Sequence, residues 1–345
     1  MHAAEISGRY VWAASGRPYD RRGDVCVWAA SGRPPTMQSE KRVCFSMKCY
    51  TYGISDTDKV VALGMFDGVH LGHQTVLEVA QTIAMVEKLT ACAVSFLNHP
   101  LSVVRGEPPE LLTLPAEKAL YAAHCGIAEM QLMPFTADFA AMEAEDFVRM
   151  LVEQYRAKHI VVGDNYTFGA GGRGDIRLLD KLSHEMGFVL HVVPKVKVAG
   201  MEVSSSAIRR LLKEGDVRRA SVLLGKAYSI GGPVVHGRRI GHKMGYPTIN
   251  IAIPEGKLLP KYGVYFGYAD IAGESYRAMF NLGVKPTVGS DEPTLEAYLI
   301  DFEGDIYGEA ARVSFVARIR EEKKFGSIEE LSEQIRKDVE KARAF

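Results

Sequence analysis

Two histidines, His70 and His73, close the ten-residue string Gly64-Met65-Phe66-Asp67-Gly68-Val69-His70-Leu71-Gly72-His73. Ahead of it, Val60 to Gly64 reads as a short buried strand, and a helical apolar pattern starts at His73. Gly64, Gly68 and Gly72 mark a tight turn between the two. A strand, a glycine-bearing turn and a helix start together offer backbone N–H groups and the positive end of a helix dipole to an anion such as phosphate. On a first helical turn His70 and His73 face the same side. They supply two tunable cations or hydrogen-bond donors at that junction. Asp67 has two open roles, orienting a histidine or reaching a metal.

Further segments carry polar groups at the ends of apolar runs. Ser204-Ser205-Ser206 precedes a helical pattern that contains Arg209. Ser205 or Ser206 suits the N-cap, and hydroxyls, helix start and arginine together make an anion site. Asn165, Tyr166 and Phe168 lie in a glycine-rich loop after another apolar run, where the amide can bind and the rings can pack on a ligand. Asn98-His99-Pro100 follows a further strand and either shapes a pocket or makes a turn. Later in the chain, Gly241 and Pro247 lead into Thr248-Ile249-Asn250. Thr248 and Asn250, two apart on a strand, share a face, and their hydroxyl and amide oxygens are hard ligands suited to Mg²⁺. Glu296 interrupts an apolar strand, as a buried base or as the solvent face of an edge strand. Arg320 belongs to a charged run that continues to Lys324.

The string from Gly64 to His73 resembles the histidine signature of the nucleotidyltransferase superfamily, in which His-x-Gly-His binds ATP phosphates. It looks like the version found in bacterial bifunctional riboflavin kinase/FAD synthetases. Gly163 to Gly169 resembles the same family's Gly-x-Asp/Asn-Phe-x-Phe-Gly loop, and Ser204 to Arg209 resembles its Ser-Ser-Thr-x-Ile-Arg. Pro247-Thr248-Ile249-Asn250, Asn281-Leu282-Gly283-x-x-Pro286-Thr287 and Leu295 to Phe302 resemble its riboflavin kinase module. The resemblance covers roughly Met47 to the end. It implies a bifunctional enzyme that phosphorylates riboflavin to FMN and then adenylylates FMN to FAD, with ATP as co-substrate and Mg²⁺ in both steps. It implies catalytic roles for His70, His73, Arg209 and Glu296, the last as general base on the ribityl hydroxyl. ATP or its phosphates would be bound by Gly64, Phe66, Asp67, Gly68, Gly72, Asn165, Ser205, Ser206, Gly241, Pro247 and Thr248. Flavin would be bound by Asn98, Tyr166, Phe168 and Arg320, and the metal by Thr248 and Asn250. The family usually carries an acidic residue where Leu97 stands, so that contribution is absent.

The elements that must position these groups fall into two blocks. From 47 to 222, strands at Val60–Gly64, Ala91–Phe96, Met130–Pro134, His159–Gly163 and Phe188–Pro194 alternate with helices at His73–Leu89, Ala116–Cys125, Glu143–Tyr155, Ile176–Met186 and Ser205–Leu212. That alternation implies an α/β domain, a Rossmann-like parallel sheet covered on both faces, with ligands beyond the carboxyl ends of the strands. From 223 to 345 the pattern is strand-like and punctuated by Gly and Pro, which implies an all-β part, a small antiparallel barrel. Ser327-x-x-Glu330 opens a terminal helix with an apolar stripe at Ile328, Leu331, Ile335 and Val339.

Lys+Arg and Asp+Glu both number 42, so the chain lacks the cationic excess of a general nucleic-acid binder. No apolar run approaches the roughly 20 residues that span a membrane. Five cysteines without Cys-x-x-Cys spacing fit a reduced cytoplasmic protein. The first 46 residues repeat Val-Trp-Ala-Ala-Ser-Gly-Arg-Pro, from Val11 and again from Val27, without helical or strand periodicity. They read as a disordered extension, with Met47 as the natural beginning of the first domain.

Overall fold

The structure is a computed structural model that describes residues 47–51, 53–235, 248–284, 292–302, 304, 306–323 and 325–343. The expectations for the first 46 residues, for Gly241 and Pro247, and for Pro286-Thr287 lie outside the described residues. The chain forms two units that meet at 205/206.

The first unit runs β1 (Lys48–Tyr50), β2 (Lys59–Leu63), α1 (Leu71–Glu87), β3 (Thr90–Phe96), α2 (Pro100–Val104), α3 (Pro115–His124), β4 (Glu129–Met133), α4 (Ala137–Ala140), α5 (Ala144–Glu153), β5 (Ala157–Gly163), α6 (Ile176–Met186), β6 (Val189–Val193) and a hairpin, β7 (Lys197–Val198) with β8 (Met201–Glu202). The main sheet has the order β1-β4-β3-β2-β5-β6, and every neighbouring pair is parallel. All five residues of β2 are buried, and their alternation divides them between two cores. Val60 and Ala62 pack with Val76, Leu77 and Ala80 of α1 and with Ala119 and Ala123 of α3. Val61 and Leu63 pack with Phe147 and Leu151 of α5 and with Leu179 and Leu182 of α6. Each such buried Val or Leu contributes about 1.5–3 kcal/mol, so a charge at Val61 would break the sheet's centre.

This order contains a reversal. The chain steps from β2 through β3 and β4 to one side, then returns to place β5 on the other side of β2. In open α/β sheets ligands bind outside the carboxyl ends of the strands at such a switch point. The segments that follow β2 and β5, which hold the two histidines and Asn165, both leave the sheet there.

The second unit has α7 (Ser205–Glu214, its first residue at the unit boundary), α8 (Val217–Leu224), β9 (Tyr228–Val235), β10 (Thr248–Ile251), β11 (Gly263–Ile271), β12 (Glu274–Val284), β13 (Pro293–Leu299), β14 (Ala310–Arg320) and α9 (Ile328–Arg343). The strands close into an antiparallel barrel in the order β10-β13-β12-β11-β14-β9, and β9 pairs with β10. Tyr265, Phe280 and Phe315 fill the inside, Phe315 lying 5.1 and 5.5 Å from the other two ring centroids. α9 covers Val264, Phe266 and Met279 with Val339 and Ala342. Ser327 caps it, its hydroxyl accepting the Glu330 N–H at 3.2 Å.

α7 after its first residue, and α8, group with the barrel. The reason is local bonding: Lys261 ahead of β11 donates its N–H to the Leu212 carbonyl of α7 at 2.8 Å.

Candidate active sites

In the first unit the loop after β2 has an unusual backbone. Phe66, Gly68 and Val69 all have positive φ, at 48°, 88° and 39°. For Phe and Val such conformations cost on the order of 1–3 kcal/mol each and persist only where the surroundings over-determine them. The Phe66 ring is buried and meets His73 edge-on at 5.4 Å. Thr113, just ahead of α3, holds the middle of the loop. Its hydroxyl accepts the Gly68 N–H at 2.8 Å, and its own N–H donates to Asp67 Oδ1 at 3.0 Å. Ser205 donates its hydroxyl to the Asp67 carbonyl at 2.8 Å. Asp67 is therefore engaged in fixing the loop.

α1 begins at Leu71, two residues before the expected start, because His70 is its N-cap. His70 Nδ1 accepts the His73 N–H at 3.2 Å, which leaves Nε2 as the proton-bearing nitrogen of the neutral ring. The His70 and His73 rings stack with centroids 3.6 Å apart and planes 14° from parallel. The shared face expected from the spacing is thus present. Gly72 permits it, since a Cβ there would come within 3.3 Å of the His70 ring.

Other expected members of this site are distributed differently. Asn165 stands exposed just past the end of β5. Tyr166 is half-buried, its hydroxyl pushed up by burial, and it stacks on Phe168 at 5.8 Å. Phe168, the other ring expected to meet flavin, lies deeper. It is buried in the second core against Phe147, and a Cβ on Gly174 would strike it. Asn98 is likewise engaged in the fold: its amide accepts the Phe135 N–H at 2.8 Å and donates to the Phe135 carbonyl at 3.0 Å. Leu97 packs against the first core and donates its N–H to Met133. Ser206 and Arg209 lie on α7, in the second unit.

In the barrel, strand register builds the site. Asn250 of β10 is directly opposite Glu296 of β13, and Glu296 is directly opposite Asn281 of β12. Directly paired residues share a face. Leu295, Ala297 and Leu299 are buried and fill the interior, so Glu296 projects to the outer face, half-buried, in a row with the two amides. β13 has a neighbour on each side, which removes the edge-strand alternative. Thr248 shares that face two residues from Asn250. An oxygen-only set of hydroxyl, amide and carboxylate fits a hard divalent cation.

Glu322 adds a second carboxylate beside this row. It hydrogen-bonds Asn281, and partial burial holds it above the usual carboxylate range against that bond and the Arg320 charge. It sits where a Cβ on Gly283 would be, which explains the glycine in Asn281-Leu282-Gly283. Arg320 is tied to the terminal helix, its Nε 2.8 Å from Asp338 Oδ2, with Asp338 almost fully buried.

Sequence reasoning missed Thr113 and Glu322 as members of these sites. Thr113 carried no local signal, because its partners are 45 and 46 residues away. Asn281 stood in a noted motif, but only the strand pairing puts it beside Glu296.

Residues 54–207 match the family model for FAD synthetase and residues 224–345 match that for riboflavin kinase. The bifunctional riboflavin kinase/FMN adenylyltransferase of Bacillus subtilis is 37% identical over 289 residues, 82% of this chain and 91% of the relative. The Escherichia coli K12 protein of the same name is 35% identical, over 83% of this chain and 92% of its own. A solved structure from Streptococcus pneumoniae, titled a macrolide-efflux protein, superposes with a TM-score of 0.78 at 33% identity, over 84% of this chain and 95% of that one. Among the described residues of the present chain, no helix is long and apolar enough to cross a membrane.

Proposed function

The chain belongs to the family of bifunctional riboflavin kinases/FMN adenylyltransferases, and from that premise we propose that its two units carry out the two steps of flavin cofactor synthesis. The barrel phosphorylates riboflavin to FMN, and the α/β unit adenylylates FMN to FAD with release of pyrophosphate. ATP is the co-substrate of both. The observation that carries this reading is that the two motifs keep chemically usable geometry in one chain: stacked histidines at a switch point, and a carboxylate flanked by two amides on a barrel face.

In the kinase step Glu296 takes the proton from the ribityl 5′-hydroxyl as that oxygen attacks the γ-phosphorus of ATP. Asn281 and Asn250, one on either side, keep the carboxylate aligned. Thr248 and Asn250 would hold Mg²⁺, which when bound neutralises charge on the nucleotide phosphates. Phosphoryl transfer otherwise needs positioning rather than covalent participation by the protein.

In the adenylyl step a phosphate oxygen of FMN attacks the α-phosphorus of ATP. No protein base is required, because the nucleophile is already ionised. The backbone N–H groups at the start of α1, His70 Nε2 and His73 bind the phosphates and the charge that builds on them. Ser205, Ser206 and Arg209 form the second phosphate-binding segment. Asn165 contributes an amide to the nucleotide, and Tyr166 a flat surface. Cys49 and Cys92 are buried thiols, in keeping with a reducing cytoplasmic setting.

The test is a time course of purified protein with riboflavin, ATP and Mg²⁺, resolving the flavins by chromatography. FMN followed by FAD is the expected result. FMN accumulating without FAD, with added FMN also unconverted, would remove the first unit's assignment. No conversion of either flavin by folded protein would leave only a flavin-binding role.

A further inference from the structure

Lys118, on α3, is 2% exposed. A buried ammonium is unfavourable unless its protons are bonded and its charge balanced. At the loop between β2 and α1 the first condition is met by two bonds and the second only in part, since burial outweighs the nearby negative charge. Lys118 Nζ donates to Ser95 Oγ at 3.2 Å and to the Phe96 carbonyl at 3.1 Å, both at the carboxyl end of β3. The fully buried Ser95 hydroxyl in turn donates to the Met65 carbonyl at 2.9 Å, one residue before the positive-φ turn. Asp67, itself 2% exposed, acts on Lys118 through its charge and opposes the downward push of burial. On α3 itself, Glu117 is engaged by the Leu114 N–H.

The ammonium therefore reaches the loop by two routes, the Ser95 hydroxyl and the Asp67 charge. Thr113 grips the next part of the loop, Asp67 and Gly68, from the start of the same helix. A hydrophobic side chain would fill the space behind β3 without the desolvation penalty. It would leave Ser95 without the bond from the ammonium.

We infer that Lys118 is a positioning residue of the adenylyl-transfer site: through the Ser95 hydroxyl its ammonium fixes Met65, and with it the strained loop that presents His70, His73 and the α1 N-terminus to the nucleotide phosphates. This rests on the adenylyl-transfer reading of the first unit. Lys118 does not touch substrate. It acts by keeping the loop in one conformation, so its loss shows in turnover, because misplacing reacting groups by about 1 Å costs on the order of 100-fold.

The experiment uses the full chain and measures FAD formation from FMN and Mg²⁺–ATP, with riboflavin phosphorylation in parallel as the reference activity. Lys118→Met is expected to lower kcat for FAD formation by about 100-fold while the KM for FMN moves by less than about threefold, and to leave riboflavin phosphorylation unchanged. Lys118→Arg, which keeps the charge, is expected to recover at least about tenfold of that loss. Ser95→Ala, which removes only the hydroxyl link, is expected to lower kcat by about tenfold. Folded Lys118→Met with wild-type turnover overturns the inference, as does Lys118→Arg no better than Lys118→Met, since packing alone would then explain the loss. If Lys118→Met fails to fold, Ser95→Ala decides, and wild-type turnover there overturns the inference. Wild-type protein that makes no FAD overturns the parent reading and this one together; active wild type with unaffected variants overturns this one alone.

Discussion

The two sites solve the same problem, holding ATP and a flavin, with opposite kinds of backbone. In the α/β unit the chemistry stands on a loop whose conformation is unfavourable on its own, with Phe66 and Val69 at positive φ. Thr113, Ser95 and Ser205 hold it from three different segments, and Lys118 in turn holds Ser95. In the barrel the chemistry stands on regular strand positions, Asn250, Glu296 and Asn281, which closure and register already align. A site built on a ladder inherits its geometry from the fold. One built on a strained loop depends on distant side chains that touch no substrate.

That contrast is sharpened first at Glu296. Glu296→Gln is expected to lower riboflavin phosphorylation by about 10²–10⁴-fold, the range for loss of a general base, without changing stability or FAD formation from added FMN. An equal loss of both activities would break the division of labour. Thr113→Val probes the other side. It removes the partner of the buried Gly68 N–H, at about 1–3 kcal/mol, and FAD formation should fall by about 100-fold although Thr113 is remote from the substrate. Retention of full adenylyl transfer would mean that the loop keeps its shape unaided. A strand neighbour offers the counterpart: Asn281→Ser should weaken phosphorylation by about tenfold or less, since the ladder still holds Glu296.

Asp338→Ala tests the barrel's own support. It leaves Arg320 without its buried partner, but Arg320 is 21% exposed and can turn to water. The expected loss is about 1–3 kcal/mol, below that of a fully buried pair, with a lower melting temperature and kcat of phosphorylation little altered.

A further test uses pH. Burial pushes Lys118 down from 10.5 to about 8, with Asp67 opposing. The folded unit therefore disfavours the ammonium relative to the unfolded chain. The unfolded state binds more protons between pH 8 and 10.5, so Lys118 contributes stability that is present above the unfolded value and lost as pH falls to about 8. The difference in melting temperature between wild type and Lys118→Met should change across that interval in favour of wild type as pH rises. A constant difference would show that Lys118 is not held as a strained cation.

Much of the architecture was readable from pattern alone. The α6 boundaries match the expected Ile176–Met186, and β3 and β4 fall within a residue of theirs, because buried strands and amphipathic helices write their period into the chain. β1 was missed because three residues carry too little period; it is recognisable only by pairing with β4. The rings of Tyr166 and Phe168 could not be told apart from the loop sequence. Both suit ligand contact, and only the packing of Phe147 and Gly174 on Phe168 makes it part of the core.

By itself the sequence determined which residue types recur at local spacing. These are the two histidines three apart at a helix start, the Thr248/Asn250 pair on one strand face, the glutamate within an apolar strand, and two blocks with different periodicity. Local spacing suffices there because helix and strand geometry convert it directly into a shared face. Tertiary structure alone decided what lies behind those groups: Thr113 and Lys118 against the phosphate loop, Asn281 beside Glu296, and Arg320 turned to Asp338. These contacts join residues 18 to 46 positions apart or on paired strands. No local period encodes such distances; they exist only once burial of the apolar faces has brought the elements together.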